Sequence, residues 1–258
     1  MTGSGPLAGL RVVVTRAEHQ AGGLAAAFEA AGARVEILPL LEIVPPADRR
    51  PLERAAAEIA LYDWLVFTSA NAVESFLPLV GGALPPRVQV AVVGPATAAA
   101  LRARGIEPAL AATRSDAEGL VADLGPLVAG GRRVLLPQAS DARPTLLEGL
   151  RQAGAEVVAI VAYDKRLPPE APARARELFG DSPLGWVTFT SPRIVRHFVD
   201  LFGEDWERRR PELRAAAVGP VTSAELRRQG VAPAAEAARP GDEEMVKAVA
   251  ARISAPRP

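Results

Sequence analysis

The chain contains no cysteine. Disulfides, zinc–thiolate sites, iron–sulfur clusters and thiol nucleophiles are thereby excluded. Imidazole is nearly as scarce: His19 and His197 are the two histidines, too few for a His-rich metal site. Lysine occurs only at Lys165 and Lys247, so basic charge is almost all arginine. Neither sign of charge is in excess. Lys+Arg and Asp+Glu each number 30, which argues against a general nucleic-acid binder. No apolar run approaches the roughly 20 residues of a membrane span. Met1–Leu10 shows no basic segment followed by an apolar one, so no secretory signal is visible. The expectation is a cytoplasmic protein with no nucleic-acid and no membrane partner. Signature loops are also missing: Gly-x-Gly-x-x-Gly, Gly-x-x-x-x-Gly-Lys-Ser/Thr and Gly-x-Ser-x-Gly are all absent. That argues against a dinucleotide site, a phosphate loop and a nucleophile elbow.

What is present is ordinary globular material. The 258 residues are 49% hydrophobic and 23% charged, enough for one large domain or two ordinary ones. Ala-rich helical stretches end at Gly32, Gly105, Gly154 and Gly230. Glycine suits the left-handed residue just past a helix. Strand-like runs follow each: 33–38, 106–110, 155–161 and 231–235. Further runs at 11–15, 64–68, 88–93, 133–137, 186–190 and 214–218 alternate with helical patterns. Such alternation predicts βαβ units and parallel sheets.

The junctions also pair up. Gly32 and Gly154 stand 122 residues apart, as do Thr68-Ser69 and Thr190-Ser191. Gly94 and Gly219 are 125 apart, Asp116 and Asp242 126 apart. Residues 94–105 and 219–230 share Gly, Pro, Thr, Ala, Leu, Arg and a closing Gly in order. One α/β unit is therefore present twice, with a period too long for a solenoid. Val35–Val44 runs into Pro45-Pro46, and Val157–Tyr163 runs through Asp164-Lys165-Arg166 to Pro168-Pro169. These two segments read either as sheet strands followed by turns or as interdomain linkers.

Ligands of open α/β sheets bind beyond the carboxyl ends of the strands. The segments that leave a strand and open a helix are 15–16, 68–71, 94–97, 138–140, 190–193 and 219–222. They are rich in Ser, Thr and Asn, and helix capping alone explains any one of them. As a set they present free backbone N–H groups and positive helix ends, which suit a ligand with many negative groups. Asp63 and Asp181 precede strands instead of ending them, which argues against a receiver-type acidic pocket. His19 reads as a solvated helix-start residue. His197 lies on a stripe with Ile194, Phe198 and Leu201 and reads as flanking the core. Tyr163 ends the second extended segment. It reads either as an amphipathic strand-end residue with its hydroxyl in water or as a polar tip near a cleft.

The Arg11–Arg16 start, the Phe67–Asn71 turn, the paired Gly-Pro-x-Thr turns, Thr190-Ser191-Pro192 and the position of Tyr163 together resemble the uroporphyrinogen-III synthase family. The resemblance runs from about Leu10 to about Ile253 and rests on order and spacing. It is looser at Asp164-Lys165-Arg166. It implies two similar parallel-sheet, flavodoxin-like α/β domains from an internal duplication, joined by a two-stranded connector. Residues 1–39 and 167–258 form one domain on this reading and 47–160 the other, with 40–46 and 161–166 as hinge. The implied reaction is cyclisation of hydroxymethylbilane, a linear tetrapyrrole with eight carboxylates, with loss of water and inversion of ring D. It needs no cofactor and no metal, and a monomer suffices. Backbone amides of Ser69, Ala70, Asn71, Gly94, Ala96, Thr97, Ser191, Val221 and Thr222 are expected to grip the carboxylates. Gln138, Ser140, Pro192 and Gly219 are expected as further substrate-binding residues, Arg16 and Arg193 as supplementary cations, and Tyr163 as the general acid. A hinged anion-binding module and a phosphosugar enzyme are the alternatives.

Overall fold

A computed structural model describes residues 5–254, apart from 82 and 181. Asp181, and the side chain of His19, lie outside the described residues. The chain opens with β1 (Arg11–Val14), α1 (Glu18–Ala30), β2 (Arg34–Ile37) and β3 (Glu42–Val44). It continues through α2 (Arg50–Ala57), β4 (Trp64–Phe67), α3 (Ala70–Val80), β5 (Gln89–Val92), α4 (Pro95–Arg102) and β6 (Leu110–Ala111). Next come α5 (Ala117–Val128), β7 (Arg133–Ala139), α6 (Thr145–Gln152), β8 (Glu156–Arg166) and α7 (Ala171–Phe179). The remainder is β9 (Gly185–Phe189), α8 (Pro192–Asp200), α9 (Trp206–Arg209), β10 (Leu213–Ala217), α10 (Pro220–Arg228), β11 (Ala235–Glu236) and α11 (Asp242–Ser254).

The chain divides into two compact units. A split unit takes residues up to Glu42 and from Arg166 onward; a continuous unit takes Ile43–Lys165. The split unit holds a five-stranded sheet in the order β11-β10-β9-β1-β2. The continuous unit holds a six-stranded sheet in the order β3-β8-β7-β4-β5-β6. Pairing of β1 with β2 and β9, and of β7 with β8 and β4, is parallel. The last five strands of the larger sheet match the smaller one strand for strand. β8, β7, β4, β5 and β6 stand where β2, β1, β9, β10 and β11 stand in the other unit. Counted within the repeat, both follow the 2-1-3-4-5 order of flavodoxin-like sheets. The duplicate is therefore permuted: in the continuous unit, β4–β6 precede β7 and β8 in sequence. The extra strand β3 edges the sheet beside β8, where Arg166 meets Glu42 at 2.8 Å.

Both faces of each sheet are apolar because helices cover both. β4 is buried at every position, and its residues alternate between two cores. Leu65 and Phe67 face Phe76, Leu101 and Tyr163, whereas Trp64 and Val66 face Leu120, Leu124 and Leu150. In the split unit Val13 joins Phe179, Phe189 and Phe198, while Val12 and Val14 join Leu24, Phe28 and Met245. This is the near-continuous apolar pattern of parallel strands. Gly32 and Gly154 both have φ +93°, and Gly105 and Gly230 have +74° and +76°. All four are left-handed helix exits that a Cβ would strain.

Two strand-like runs are shorter than their sequences suggest. Of 106–110, only Leu110 enters β6; of 231–235, only Ala235 enters β11. Pro108 and Pro233 stand just upstream and cannot donate to a ladder. Sheet hydrogen bonding begins after them, from Ala109 N–H to the Val90 carbonyl and from Ala234 N–H to the Ala215 carbonyl, both 2.8 Å. The second extended segment is strand throughout: β8 continues through Asp164-Lys165-Arg166.

Candidate active site

In the continuous unit the strand order reverses between β7 and β4, the place where open α/β sheets hold ligands. β4 delivers Ser69 to the start of α3 in extended backbone (φ −155°). Its Oγ accepts the Ala72 N–H at 3.2 Å, a side-chain N-cap. Ala70 and Asn71 are half-buried, and among the described residues their amides make no hydrogen bond. A helix's first N–H groups have no earlier turn to bond to.

Tyr163 reaches this turn through an irregularity in β8. Gln138 pairs with Val161 but Ala139 pairs with Tyr163, so Ala162 is an extra residue on that strand. Such a bulge re-aims the side chains that follow it. Ala162 and Tyr163 are consecutive and both buried, at 1% and 4% exposure, where a regular strand would alternate. The ring enters the core with Phe67, Ala72, Val73 and Phe76. Its hydroxyl stands 3.0 Å from Ser69 Oγ. The strand-end reading with a hydroxyl in water is thus replaced by a buried phenol with a hydroxyl partner. Ser140 fixes the same stretch, since its N–H donates to the Tyr163 carbonyl at 3.1 Å and its hydroxyl to Asp164. Gln138 is half-buried within β7. Lys165 Nζ lies 5.7 Å from the Tyr163 ring centre and pairs with Asp141 at 3.1 Å.

The equivalent reversal in the split unit falls between β1 and β9. Thr15, fully buried, donates its hydroxyl proton to the Thr188 carbonyl and locks the two strand ends. Ser191 caps α8, accepting the Ile194 N–H at 3.4 Å, and Pro192 fills the first helical position. Arg16 pairs with Asp242 of α11 at 2.9 Å, both half-exposed, so its charge is already matched within the unit. Arg193 lines a cavity of about 290 Å³ with Arg196, His197, Val199, Asp200 and Gln229. His197 Nδ1 donates to the Leu40 carbonyl at 2.6 Å, which fits a flank of the core.

The Gly-Pro turns complete the set. Thr97 and Thr222 are buried beneath them. Thr97 N–H turns back to the Gly94 carbonyl at 3.1 Å, so this expected amide donor is engaged, while Ala96 N–H makes no hydrogen bond among the described residues. In α10 the first helical bond runs from Ser223 N–H to the Gly219 carbonyl, and the Val221 and Thr222 amides make none among the described residues. Neither glycine is demanded by its backbone: Gly94 is extended at φ −152° and Gly219 at φ 162°. A Cβ on Gly219 would meet nothing within 4 Å.

Glu225 anchors α10 to α8. Burial pushes its pKa up, but hydrogen bonds from Gln229 and Arg228, with the charges of Arg196 and Arg228, hold it below the ordinary glutamate value. Sequence reasoning missed three features: the extra residue in β8, the phenol–serine contact, and Asp242 as partner of Arg16. Only the last had a signal, the Asp116/Asp242 pairing at matched helix starts. Among the described residues no cluster of three or more His, Asp or Glu could hold a metal ion.

Comparison with known proteins bears on the same residues. A family model described as uroporphyrinogen-III synthase HemD matches residues 23–247. The uroporphyrinogen-III synthase of Synechococcus elongatus is 37% identical over 227 residues, covering 84% of this chain and 86% of that protein. Among solved structures, uroporphyrinogen-III synthetase from Helicobacter pylori matches over 94% of this chain and 99% of its own, with a TM-score of 0.67 and 19% identity. A mutant uroporphyrinogen III synthase from Thermus thermophilus matches over 95% and 98%, with a TM-score of 0.63 and 22% identity.

Proposed function

The chain belongs to the uroporphyrinogen-III synthase family, and we propose that it works by gripping its substrate through backbone amides while Tyr163 protonates the leaving hydroxyl. The enzyme closes hydroxymethylbilane to uroporphyrinogen III, with loss of water and inversion of ring D, in tetrapyrrole synthesis. The observation that carries the mechanism is the buried Tyr163 phenol, 3.0 Å from Ser69 Oγ, at a helix entry where the Ala70 and Asn71 amides make no hydrogen bond among the described residues.

The chemistry needs charge matching and positioning. Loss of the hydroxymethyl oxygen as water leaves a cationic azafulvene. Attack from the substituted carbon of ring D gives a spiro intermediate, and its recombination inverts that ring. Free hydroxymethylbilane closes unaided to the uninverted isomer. The protein must therefore hold the chain ends so that the spiro route is faster. The amides of Ser69, Ala70, Asn71, Gly94, Ala96, Ser191, Val221 and Thr222 are the donors for the substrate's carboxylates. One helix end favours an anion by only about 0.3–1 kcal/mol, so several are required. Gly94 and Gly219 let a carboxylate approach the backbone closely. Ser69, Ser191 and Pro192 shape the entries, Gln138 and Ser140 hold the β7 end, and Arg193 supplies positive charge. Arg16 and Thr97 contribute through their neighbours, being bonded to Asp242 and Gly94.

The reading extends to organisation. Residues 1–39 with 167–258 and residues 47–160 act as the two domains, with 40–46 and 161–166 as the connector. Support comes from the contact boundaries at Glu42/Ile43 and Lys165/Arg166. Both sets of amides belong to one chain, which favours a working monomer. No helix among the described residues is long and apolar enough to cross a membrane. A substrate that closes unaided must be met where it is made, which favours the cytoplasm.

The test is an isomer-resolved assay with freshly made hydroxymethylbilane. The protein should yield isomer III where the uncatalysed control yields isomer I. Tyr163→Phe should lower kcat by about a hundredfold, the lower end for general acids, with product affinity unchanged. Unchanged turnover removes Tyr163 from the mechanism.

A further inference from the structure

We infer that the Ser69 hydroxyl is a positioning residue that donates to the Tyr163 phenol oxygen and stabilises the phenolate formed when Tyr163 gives up its proton. The inference rests on the reading of Tyr163 as the acid. A serine hydroxyl has one hydrogen and two lone pairs. One lone pair of Ser69 already takes the Ala72 N–H. The 3.0 Å contact with Tyr163 is left either the serine hydrogen or its other lone pair. If Tyr163 spends its own proton on Ser69, none is available for substrate. With Ser69 donating, every hydrogen runs one way: Ala72 N–H to Ser69 Oγ, Ser69 O–H to Tyr163 Oη, Tyr163 O–H to the departing hydroxyl. Each bond in such a chain polarises the next.

The surroundings demand such a donor. Tyr163 is 4% exposed among Phe67, Val73 and Phe76, so few polar groups can reach its hydroxyl. Among the described residues the Ser69 hydroxyl stands at hydrogen-bond distance from the Tyr163 oxygen, while Lys165 Nζ lies 5.7 Å from the ring centre and pairs with Asp141 at 3.1 Å. The duplication supplies an internal control. Ser191, 122 residues on, keeps the same cap, bonded to Ile194 at 3.4 Å. The position matching Tyr163 at that offset is Leu41. A cap alone therefore needs no phenol beside it. Ser69 has the cap's bond and a second one that its counterpart's position cannot form.

The protons balance. The hydroxymethyl C–O bond breaks, the oxygen leaves as water with the phenol proton, and the pyrrole nitrogen's electron pair forms the azafulvene. The phenolate, held by Ser69, recovers a proton when the closing pyrrole carbon loses its hydrogen and becomes aromatic again. Only water is lost overall.

Tyr62 and Tyr163 are the two tyrosines, so Tyr62→Phe leaves residue 163 as a single probe. Fluorinated tyrosine at that position ionises nearer neutrality, and its ¹⁹F shift reports the titration in the folded full chain. Ser69→Ala should raise the pKa of residue 163, because a donor to the charged form is lost. It should also lower kcat roughly tenfold, the size of one charge-assisted hydrogen bond, with KM little changed. Ser69→Thr should restore both. Ser69→Gly carries no side-chain donor, is tolerated at a helix N-cap, and serves if Ser69→Ala fails to fold. An unmoved pKa, or a lowered one, overturns the inference, the latter by showing that Tyr163 donates to Ser69. If Tyr163→Phe turns over normally, the acid reading itself fails. If Tyr163→Phe is slow and the pKa does not move, only the role of Ser69 falls.

Discussion

Glu225 is 5% exposed and keeps its charge through three neighbours. Gln229 Nε2 donates at 3.1 Å, Arg228 at 3.3 Å, and Arg196 of α8 lies at 3.5 Å. The folded pKa is depressed, so the proton binds more weakly in the folded state than in the unfolded chain. Stability from Glu225 is then complete above the ordinary glutamate range and is lost as pH falls through it to the depressed value. Glu225→Gln should cost about 1 kcal/mol at neutral pH, since its arginine partners are half- to fully exposed. Urea midpoints of variant and parent should converge as the medium is acidified through that range. A gap that widens in acid would mean that the charged form is not the stabilising one. Tyr163 makes a different point about single side chains. Its identity as one of two tyrosines at a strand end was legible in the chain, but its partner was not. Ser69 lies 94 positions away, and the contact depends on one unpaired residue, Ala162, that no periodicity marks.

Strands and helix exits were largely legible, because parallel strands covered on both faces read as short apolar runs and left-handed exits need glycine. β1, β4, β5, β9 and β10 lie where those runs stand. β6 and β11 were overread, since the apolar pattern ignores the proline that delays pairing. The permuted order of the repeat was not legible from spacing, which is the same whether the halves are contiguous or interleaved; it entered through family resemblance. The glycines divide by the same physics. Gly154 has φ +93°, so Gly154→Ala should cost about 1–2 kcal/mol, the penalty of a left-handed non-glycine residue. Gly219 is extended with open space where a Cβ would go. Gly219→Ala should leave the melting temperature level or slightly raised, because it restricts the unfolded chain. Its methyl would stand at the α10 entry, and KM for hydroxymethylbilane should rise. Equal KM with equal stability would remove this turn from the substrate's path.

Each unit carries its own cores on both faces of its own sheet, and this predicts how the chain comes apart. Phe198 is fully buried in the split unit, with ring centres of Phe189, Phe202 and Phe179 at 5.3, 5.1 and 5.8 Å. Phe76 is equally buried in the continuous unit, against Phe67 at 6.2 Å. Truncating either to alanine removes about 3–5 kcal/mol from the unit that contains it. Where two cores share no residues, that loss need not reach the other, and a single unfolding free energy is not defined for the whole chain. The tryptophans separate the signals. Trp64 belongs to the continuous unit, Trp186 and Trp206 to the split one. With Trp64 as the only tryptophan, Phe198→Ala should leave the fluorescence transition in urea nearly in place and Phe76→Ala should move it to lower urea. With Trp206 alone, the pattern should reverse. Both variants shifting both reporters equally would mean that the units unfold as one. Saturating product should raise the transition of each unit whose amides hold it, and the proposed set includes amides of both, since a ligand that binds only the folded form stabilises everything it needs folded. Product that stabilises one reporter alone would assign the whole grip to that unit and contradict the shared set of amides.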